Sequence, residues 1–115
     1  MSDYQNRADL QFIPALVGLA RTEAEAFLAF NHAAQRSDGA IPPKYRELIS
    51  LAVALTTQCA YCLDVHTKAA VKAGATRKEV AETALVAAAV RAGGTLGHAL
   101  LGLRLFEEAE PRGAS

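Results

Sequence analysis

Apolar residues recur along most of the chain three or four positions apart, the spacing that places side chains on one face of a helix. This pattern predicts about six helices separated by short polar or glycine-containing breaks. They are a short helix from Pro14 to about Leu19, one from about Glu23 to Gln35, one from Pro43 to a break at residues 56–58, one from about Cys59 to Ala73, one from Thr76 to Gly93 and Gly94, and one from about Thr95 to Glu108. The tail from Pro111 to Ser115 is expected to fray.

Capping and breaking residues support these boundaries. Two Thr-x-x-Glu sequences have the spacing of a capping box, in which each side chain bonds the other residue's backbone N–H group. Prolines suit the first turn of a helix, and glycines favour its C-terminal end. The capping boxes are Thr22 with Glu25 and Thr76 with Glu79, the prolines are Pro14, Pro42 and Pro43, and the glycines are Gly74, Gly93 and Gly94.

Composition agrees with a helical protein. The 115 residues are rich in alanine and leucine and contain no tryptophan, which favours an all-α, compact, single-domain helical bundle spanning residues 1–115. Alanine covers much of the circumference of several helices, and in so short a chain we expect part of this apolar surface to form a subunit interface.

Charge and segment patterns exclude some functions. Twelve basic residues balance twelve acidic ones, so the net charge gives no footprint for nucleic acid or an anionic membrane. The N-terminus lacks the pattern of a secretory signal, and no stretch of about 18 apolar residues runs without a polar break. These features predict a soluble cytoplasmic protein, a compartment in which closely spaced cysteines point to redox chemistry or metal binding.

The candidate chemistry lies in the sequence QCAYCLDVH, which contains both cysteines of the chain. On a helix, Cys59, Cys62 and His66 would share one face within two turns. Free N–H groups and the helix dipole stabilise a thiolate at a helix start, so the two cysteines can act as a reactive dithiol. An imidazole at this position can take or deliver the thiol proton.

Two other interpretations fit the same residues. Both cysteines could be small buried hydrophobic residues, with His66 a hydrogen-bonded structural histidine. Alternatively, Cys59, Cys62 and His66 could supply three zinc ligands, although a second ligand pair typical of a structural zinc site is missing. A covalent haem site would need histidine directly after the second cysteine, where Leu63 stands. We therefore expect neither a cofactor nor a metal.

The run IPPKYRELISLAVALTTQCAYCLDVHTKAAVKAGATRKEVAETALVAAAV, residues 41–90, resembles the alkylhydroperoxidase D-like branch of the carboxymuconolactone decarboxylase family. In that branch a glutamate precedes Cys-x-x-Cys-x-x-x-His, which is followed by a glycine-ended helix and a second capped helix. Glu47, Cys59, Cys62 and His66 match those positions. The resemblance implies an all-helical fold that assembles into homotrimers or homohexamers.

The resemblance also implies a function, the reduction of hydroperoxides by the protein's own cysteines. Cys62 would be the peroxidatic thiol and Cys59 the resolving one, with His66 and Glu47 forming a proton relay. An external dithiol, possibly on a lipoyl protein or a thioredoxin-like protein, would then reduce the disulfide by attack on Cys59.

Two residues beside the motif bear on this mechanism. Some family members have histidine where Tyr61 stands, and a phenol cannot replace imidazole as a base near neutral pH, although it can donate a hydrogen bond. Asp64 is interpreted as a solvated helix residue rather than a substitute base. Two other functions stay open, a redox-sensing or scaffold protein without efficient turnover and a decarboxylase or isomerase acting on a lactone.

Overall fold

A computed structural model of the chain describes residues 4–112. This part is helical and contains no strand, which confirms the all-α class. Its elements are a 3-10 helix (Arg7–Phe12), α1 (Ile13–Leu19), α2 (Arg21–Ala34), α3 (Pro43–Thr57), α4 (Ala60–Lys72) and α5 (Arg77–Ala109). The expected fraying of the tail beyond residue 112 lies outside the described residues.

Several predicted helix ends are confirmed. Pro43 opens α3, and Gly74, whose φ of 90° few other residues tolerate, follows the end of α4. At the start of α5, Thr76 Oγ1 accepts the Glu79 N–H (3.1 Å) and Glu79 Oε1 accepts the Thr76 N–H (2.9 Å). These bonds satisfy two donors that the first helical turn would otherwise leave unpaired.

The capping box predicted at Thr22 is wrong. Helix α2 begins at Arg21, directly after the single residue Ala20 that separates it from α1. Thr22 therefore lies inside the helix, and no side chain caps the helix start. Glu25 lies near Arg21 instead, with Nη1 and Oε2 3.6 Å apart. The short α1–α2 connection determines this helix start more strongly than the side-chain spacing.

The predicted break at Gly93 and Gly94 is also wrong, because α5 is one continuous helix of 33 residues. Glycine ends a helix most effectively when it adopts a positive φ, and among the described glycines Gly74 alone does so. Each interior glycine costs a helix about 1 kcal/mol relative to alanine, which the strong helix formers around it can offset. Two of the six predicted helices are therefore one.

The core lies where α3 packs against α4 and α5. Leu48, Leu51 and Ala54 of α3 are buried, as is Ala70 of α4. Leu63, Ala75 and Val80 pack around this centre. Helix α3 contacts both later helices, so one of its faces packs against α4 and another packs against α5.

Helices α1 and α2 contribute no buried residue to this core. Helix α2 packs against α1, and its C-terminal end is tied to α3 where Arg46 Nη1 donates to the Ala34 carbonyl (2.6 Å). The protomer extends over 61 × 38 × 38 Å, with a radius of gyration of 19.9 Å. A compact domain of this length would have a radius of about 13 Å. The single chain thus leaves much apolar helix surface exposed.

Candidate active site

The turn between α3 and α4 positions the two cysteines. Gln58 ends α3 in the left-handed conformation, with a φ of 58°, and the Cys59 N–H donates to the Ala54 carbonyl at 3.0 Å. The chain then enters α4, with Cys59 as the N-cap residue. A left-handed residue is a common way to end a helix, and here it places Cys59 at the exposed N–H groups of the next one.

Cys59 and Cys62 form a disulfide across the first turn of α4, with their Cα atoms 5.3 Å apart. The structure thus joins the two cysteines that the sequence pattern singled out. Cys59 Sγ also accepts the backbone N–H of Cys62 at 3.2 Å, the bond that an N-cap side chain normally makes. Both residues are half-buried. A thiolate released at Cys59 on reduction would face this N–H group and the positive end of the helix dipole.

His66 and Glu47 meet between α4 and α3. The imidazole Nδ1 lies 2.7 Å from Glu47 Oε1, and the two side chains are 21% and 15% exposed, respectively. Because an ionised carboxylate only accepts hydrogen bonds, Nδ1 carries the proton and Nε2 of the neutral ring is left as a base. Glu47 thus holds the ring in one tautomer and one orientation.

The disulfide and His66 lie on the same helix, α4, but are not hydrogen-bonded to each other. Cys62 precedes His66 by about one turn of α4, and the hydrogen bonds of residues 4–112 include none from His66 to either sulfur. The oxidised structure therefore places a base one turn from a disulfide, and proton transfer between them needs a substrate oxygen, a water molecule or the reduced thiol. In residues 4–112, no group of three or more His, Cys, Asp or Glu side chains has the arrangement of a metal site.

The N-terminal segment supplies two contacts that sequence reasoning missed. The Tyr61 hydroxyl donates to Asp9 Oδ2 at 2.5 Å, and Arg7 Nε lies 2.6 Å from Asp64 Oδ1. The hydrogen bond to Asp9 raises the pKa of Tyr61 above its ordinary value, which makes the phenol a still poorer base. No local pattern signals these contacts, because the partners are 52 and 57 positions apart.

The interpretation of Asp64 as a solvated residue is wrong. Its side chain is only 12% exposed and lies near both Arg7 and Lys68. Burial raises the pKa of Asp64, but the hydrogen bonds from Lys68 and Arg7 outweigh this effect and the pKa lies below its ordinary value. These contacts favour the ionised form of Asp64, as an ion-pair partner of Arg7 and Lys68.

A second feature is an open apolar groove of about 590 Å³ between α3 and α5. Its lining is mostly aliphatic and also includes one tyrosine, two threonines and an arginine. The residues are Tyr45, Leu48, Ile49, Ala52, Val53, Thr56, Thr83, Val86, Ala87, Val90 and Arg91. Arg91 Nη1 donates to the Thr56 carbonyl at 2.9 Å and so joins the two helices at one end.

Comparison with known proteins identifies the family. The sequence model of the carboxymuconolactone decarboxylase family matches residues 22–104, which is well over half of the chain, and this range includes the four candidate site residues. The chain belongs to the carboxymuconolactone decarboxylase family. It is also similar to a Paracoccus denitrificans protein named "Uncharacterized protein 4 in cox locus", with 36% identity over 107 residues that cover 88% of this chain and 96% of that protein.

Membership in the carboxymuconolactone decarboxylase family confirms, at the level of the family, the resemblance drawn from residues 41–90. The family includes enzymes, and the Paracoccus name assigns no activity. The family match begins at residue 22, so the segment that carries Arg7 and Asp9 lies outside it.

Proposed function

We propose that this protein is a thiol-dependent peroxidase that reduces hydroperoxides through Cys59 and Cys62, with His66 and Glu47 as its proton relay. The observation that carries the proposal is the Cys59–Cys62 disulfide at the N-terminus of α4, one turn before a histidine oriented by a carboxylate. A dithiol that closes across one helical turn, beside a base of fixed tautomer, has the groups that peroxide reduction requires.

The first half of the cycle is oxidation of Cys62. Its thiolate attacks the terminal oxygen of the hydroperoxide, the O–O bond breaks, and the alcohol leaves with a proton delivered by His66. Cys62 becomes a sulfenic acid. The Cys59 thiol then attacks the Cys62 sulfur, water leaves, and the disulfide forms. Two electrons pass from the two thiols to the peroxide.

The second half returns the enzyme to its reduced form. A thiolate of an external dithiol attacks Cys59 Sγ, and Cys62 leaves as a thiolate. The second thiol of the reductant then attacks the mixed disulfide, releasing Cys59 and a cyclic disulfide product. A lipoyl group or a thioredoxin-like protein has the required dithiol. The His66–Glu47 relay would return a proton to the Cys62 thiolate.

We also propose that the working protein is a homo-oligomer, a trimer or a hexamer, whose copies cover the groove between α3 and α5. The chain exposes 9335 Å², whereas a folded monomer of 12.1 kDa would expose roughly 6,000 Å². The excess is several times the roughly 800 Å² that each partner buries in a standard interface. A second copy of this chain is the occupant that best accounts for so much apolar surface.

A membrane is the other environment that could cover α5, which by length and composition could span a bilayer. Two features favour a protein partner instead. Arg91 interrupts the apolar stretch and bonds to α3, and an arginine in a bilayer core is costly. The first half of α5 also packs against α3 in the same core that holds the candidate site.

Steady-state turnover tests the peroxidase proposal. Purified protein is mixed with an organic hydroperoxide and dihydrolipoamide, and peroxide loss is followed in the wild type and in Cys62→Ser. We expect many turnovers in the wild type and none in Cys62→Ser. A single round of disulfide formation without turnover would favour a redox sensor. Decarboxylation of a lactone by protein with alkylated cysteines would favour the decarboxylase branch.

A further inference from the structure

Two residues of the N-terminal 3-10 helix contact the first two turns of α4, one before and one after Cys62 in the sequence. Tyr61, the residue before Cys62, donates a hydrogen bond from its hydroxyl group to Asp9. Asp64, two residues after Cys62, pairs with Arg7. Residues that flank Cys62 are thus in contact with a segment that precedes the helices of the core.

Asp9 is itself held in place. Its Oδ2 atom also accepts the backbone N–H of Asn6 at 3.1 Å, while the Asn6 side chain accepts the Ala8 N–H at 2.9 Å. These bonds cap the start of the 3-10 helix, so the carboxylate reaches Tyr61 from a fixed backbone. The same contacts lower the pKa of Asp9, the bond from Tyr61 contributing most. The carboxylate therefore stays ionised at neutral pH.

The first turn of α4 has few constraints of its own. It follows the left-handed residue Gln58, and its only side-chain cap is the sulfur of Cys59. First turns of helices fray readily when they lack such support. Two thiols three residues apart close into a disulfide efficiently only while that turn is formed, because fraying lowers the effective concentration of one thiol at the other.

We infer that Asp9, acting through Tyr61, and Arg7, acting through Asp64, are positioning residues that hold the Cys59–Cys62 turn in the conformation that favours the disulfide. The conformation of this turn depends on these contacts most in the reduced chain, because the covalent link between the two cysteines is then absent. Loosening them shifts the dithiol–disulfide equilibrium toward the reduced form. The inference does not depend on peroxidase activity, since it concerns the equilibrium of the two cysteines alone.

Equilibration with glutathione measures this effect directly. One oxidised glutathione takes two electrons from the protein dithiol, giving the protein disulfide and two reduced glutathione molecules. The equilibrium constant, an effective concentration, is obtained by acid quench, alkylation and mass measurement over a range of glutathione ratios. Neither a peroxide nor a physiological reductant is needed, so failure of this inference and failure of the proposed function give separate results.

The variants are Tyr61→Phe, Asp9→Ala and their combination. Each single change removes the hydrogen bond between Tyr61 and Asp9. It is expected to lower the effective concentration of the two cysteines about three- to tenfold. The double variant should fall no further than the larger single effect, because both changes remove the same contact. Asp9→Asn keeps an oxygen acceptor and should recover most of the wild-type value, which general destabilisation would not produce.

Tyr45→Phe is the matched control, because Tyr45 is a half-exposed tyrosine on α3, remote in sequence from the 3-10 helix. Its effective concentration should equal that of the wild type. Arg7→Gln provides a second test at an exposed residue, where folding is least at risk, and should also lower the value. Unchanged effective concentrations in Tyr61→Phe, Asp9→Ala and Arg7→Gln, in proteins with native circular dichroism, would overturn the inference.

Discussion

His66 Nδ1 lies 2.7 Å from Glu47 Oε1, although the two residues are 19 positions apart on different helices. The contact exists because α3 and α4 pack against each other over Leu51 and Ala70, which are both 1% exposed. A buried apolar contact thus fixes the distance between two polar side chains at its edge. The same packing brings the Glu47 carboxylate to the helix that carries both His66 and the disulfide.

The His66–Glu47 pair should act as one unit in catalysis. His66→Asn removes the base and is expected to lower kcat with hydroperoxide by about 100-fold, in the range typical of general acid–base catalysis. Glu47→Gln keeps a side chain of the same shape but loses the charge that supports the imidazolium, and a loss of about 10- to 100-fold is expected. Stopped-flow peroxide reduction gives both values.

Non-additivity is the sharper test of this pair. The double variant should be little slower than His66→Asn alone, since Glu47 acts through His66. His98→Asn, a change at an exposed histidine of α5, is the matched control and should retain wild-type kcat. A Glu47→Gln protein with full activity would remove Glu47 from the mechanism.

The two cysteines should give different products when each is left alone. In Cys59→Ser, Cys62 retains its neighbour His66 but loses the resolving thiol, so peroxide should leave a sulfenic acid that a dimedone reagent traps. In Cys62→Ser, no sulfenic acid should form on Cys59 at a comparable rate. Intact mass after one equivalent of hydroperoxide measures both. Equal trapping on either cysteine would contradict the assigned roles.

Acid stability should depend on Glu79, which joins the starts of α3 and α5. The backbone bond from Thr76 and the ion pair with Lys44, whose Nζ lies 3.0 Å from Glu79 Oε2, lower the pKa of Glu79 below 4.5. A lowered folded-state pKa stabilises the protein above the unfolded-state value, and this contribution is lost as the pH falls through the folded-state value.

Glu79→Gln keeps the capping geometry but removes this charge. The Tm of the variant should lie below that of the wild type at pH 7, and the difference should shrink as the pH falls below about 4.5. Thermal unfolding at pH 7, 5 and 3.5 checks this. Glu82→Gln, at an exposed position of the same helix, serves as control. A Tm difference that is constant from pH 7 to 3.5 would rule out the electrostatic origin.

The groove between α3 and α5 should be covered in solution by another copy of the chain. Val90 lines this groove and is 70% exposed in the protomer, whereas Val71 on α4 is 76% exposed and lies outside it. Burying a new carboxylate in an apolar interface is strongly unfavourable. Val90→Asp should therefore dissociate the trimer or hexamer, and Val71→Asp should not.

Light scattering coupled to size-exclusion chromatography measures the mass of both variants. A wild-type protein that is monomeric at micromolar concentration would contradict the assembly proposal. Co-sedimentation of the wild type with neutral phosphatidylcholine vesicles would instead indicate that lipid covers α5.

Local signals predicted the helical fold and the disulfide pair because both depend on short-range spacing. The Thr76–Glu79 capping box, the proline start of α3 and the three-residue cysteine spacing each concern neighbours within one turn. The wrong helix break arose because a local signal was considered without the residues around it. Gly93 and Gly94 look like a stop when considered alone, but the many alanine and leucine residues of α5 support one continuous helix.

The spacing of residues along the sequence does not predict contacts between distant segments. Glu47 was found because of a family resemblance, since nothing in its own helix distinguishes it from a solvated glutamate. Asp9 and Arg7 had no such signal, and their contacts with Tyr61 and Asp64 depend on how the N-terminal segment folds back over α4. Tertiary packing determines which polar side chains come into contact, and this packing cannot be predicted from the local spacing of residues.

The peroxidase proposal is tested most directly by the intact mass of fully reduced protein after exposure to one equivalent of an organic hydroperoxide, quenched by alkylation. We expect rapid loss of both alkylation sites and the mass of one intramolecular disulfide between Cys59 and Cys62. Two alkylatable thiols after prolonged exposure would contradict it, and would leave the cysteines as structural residues.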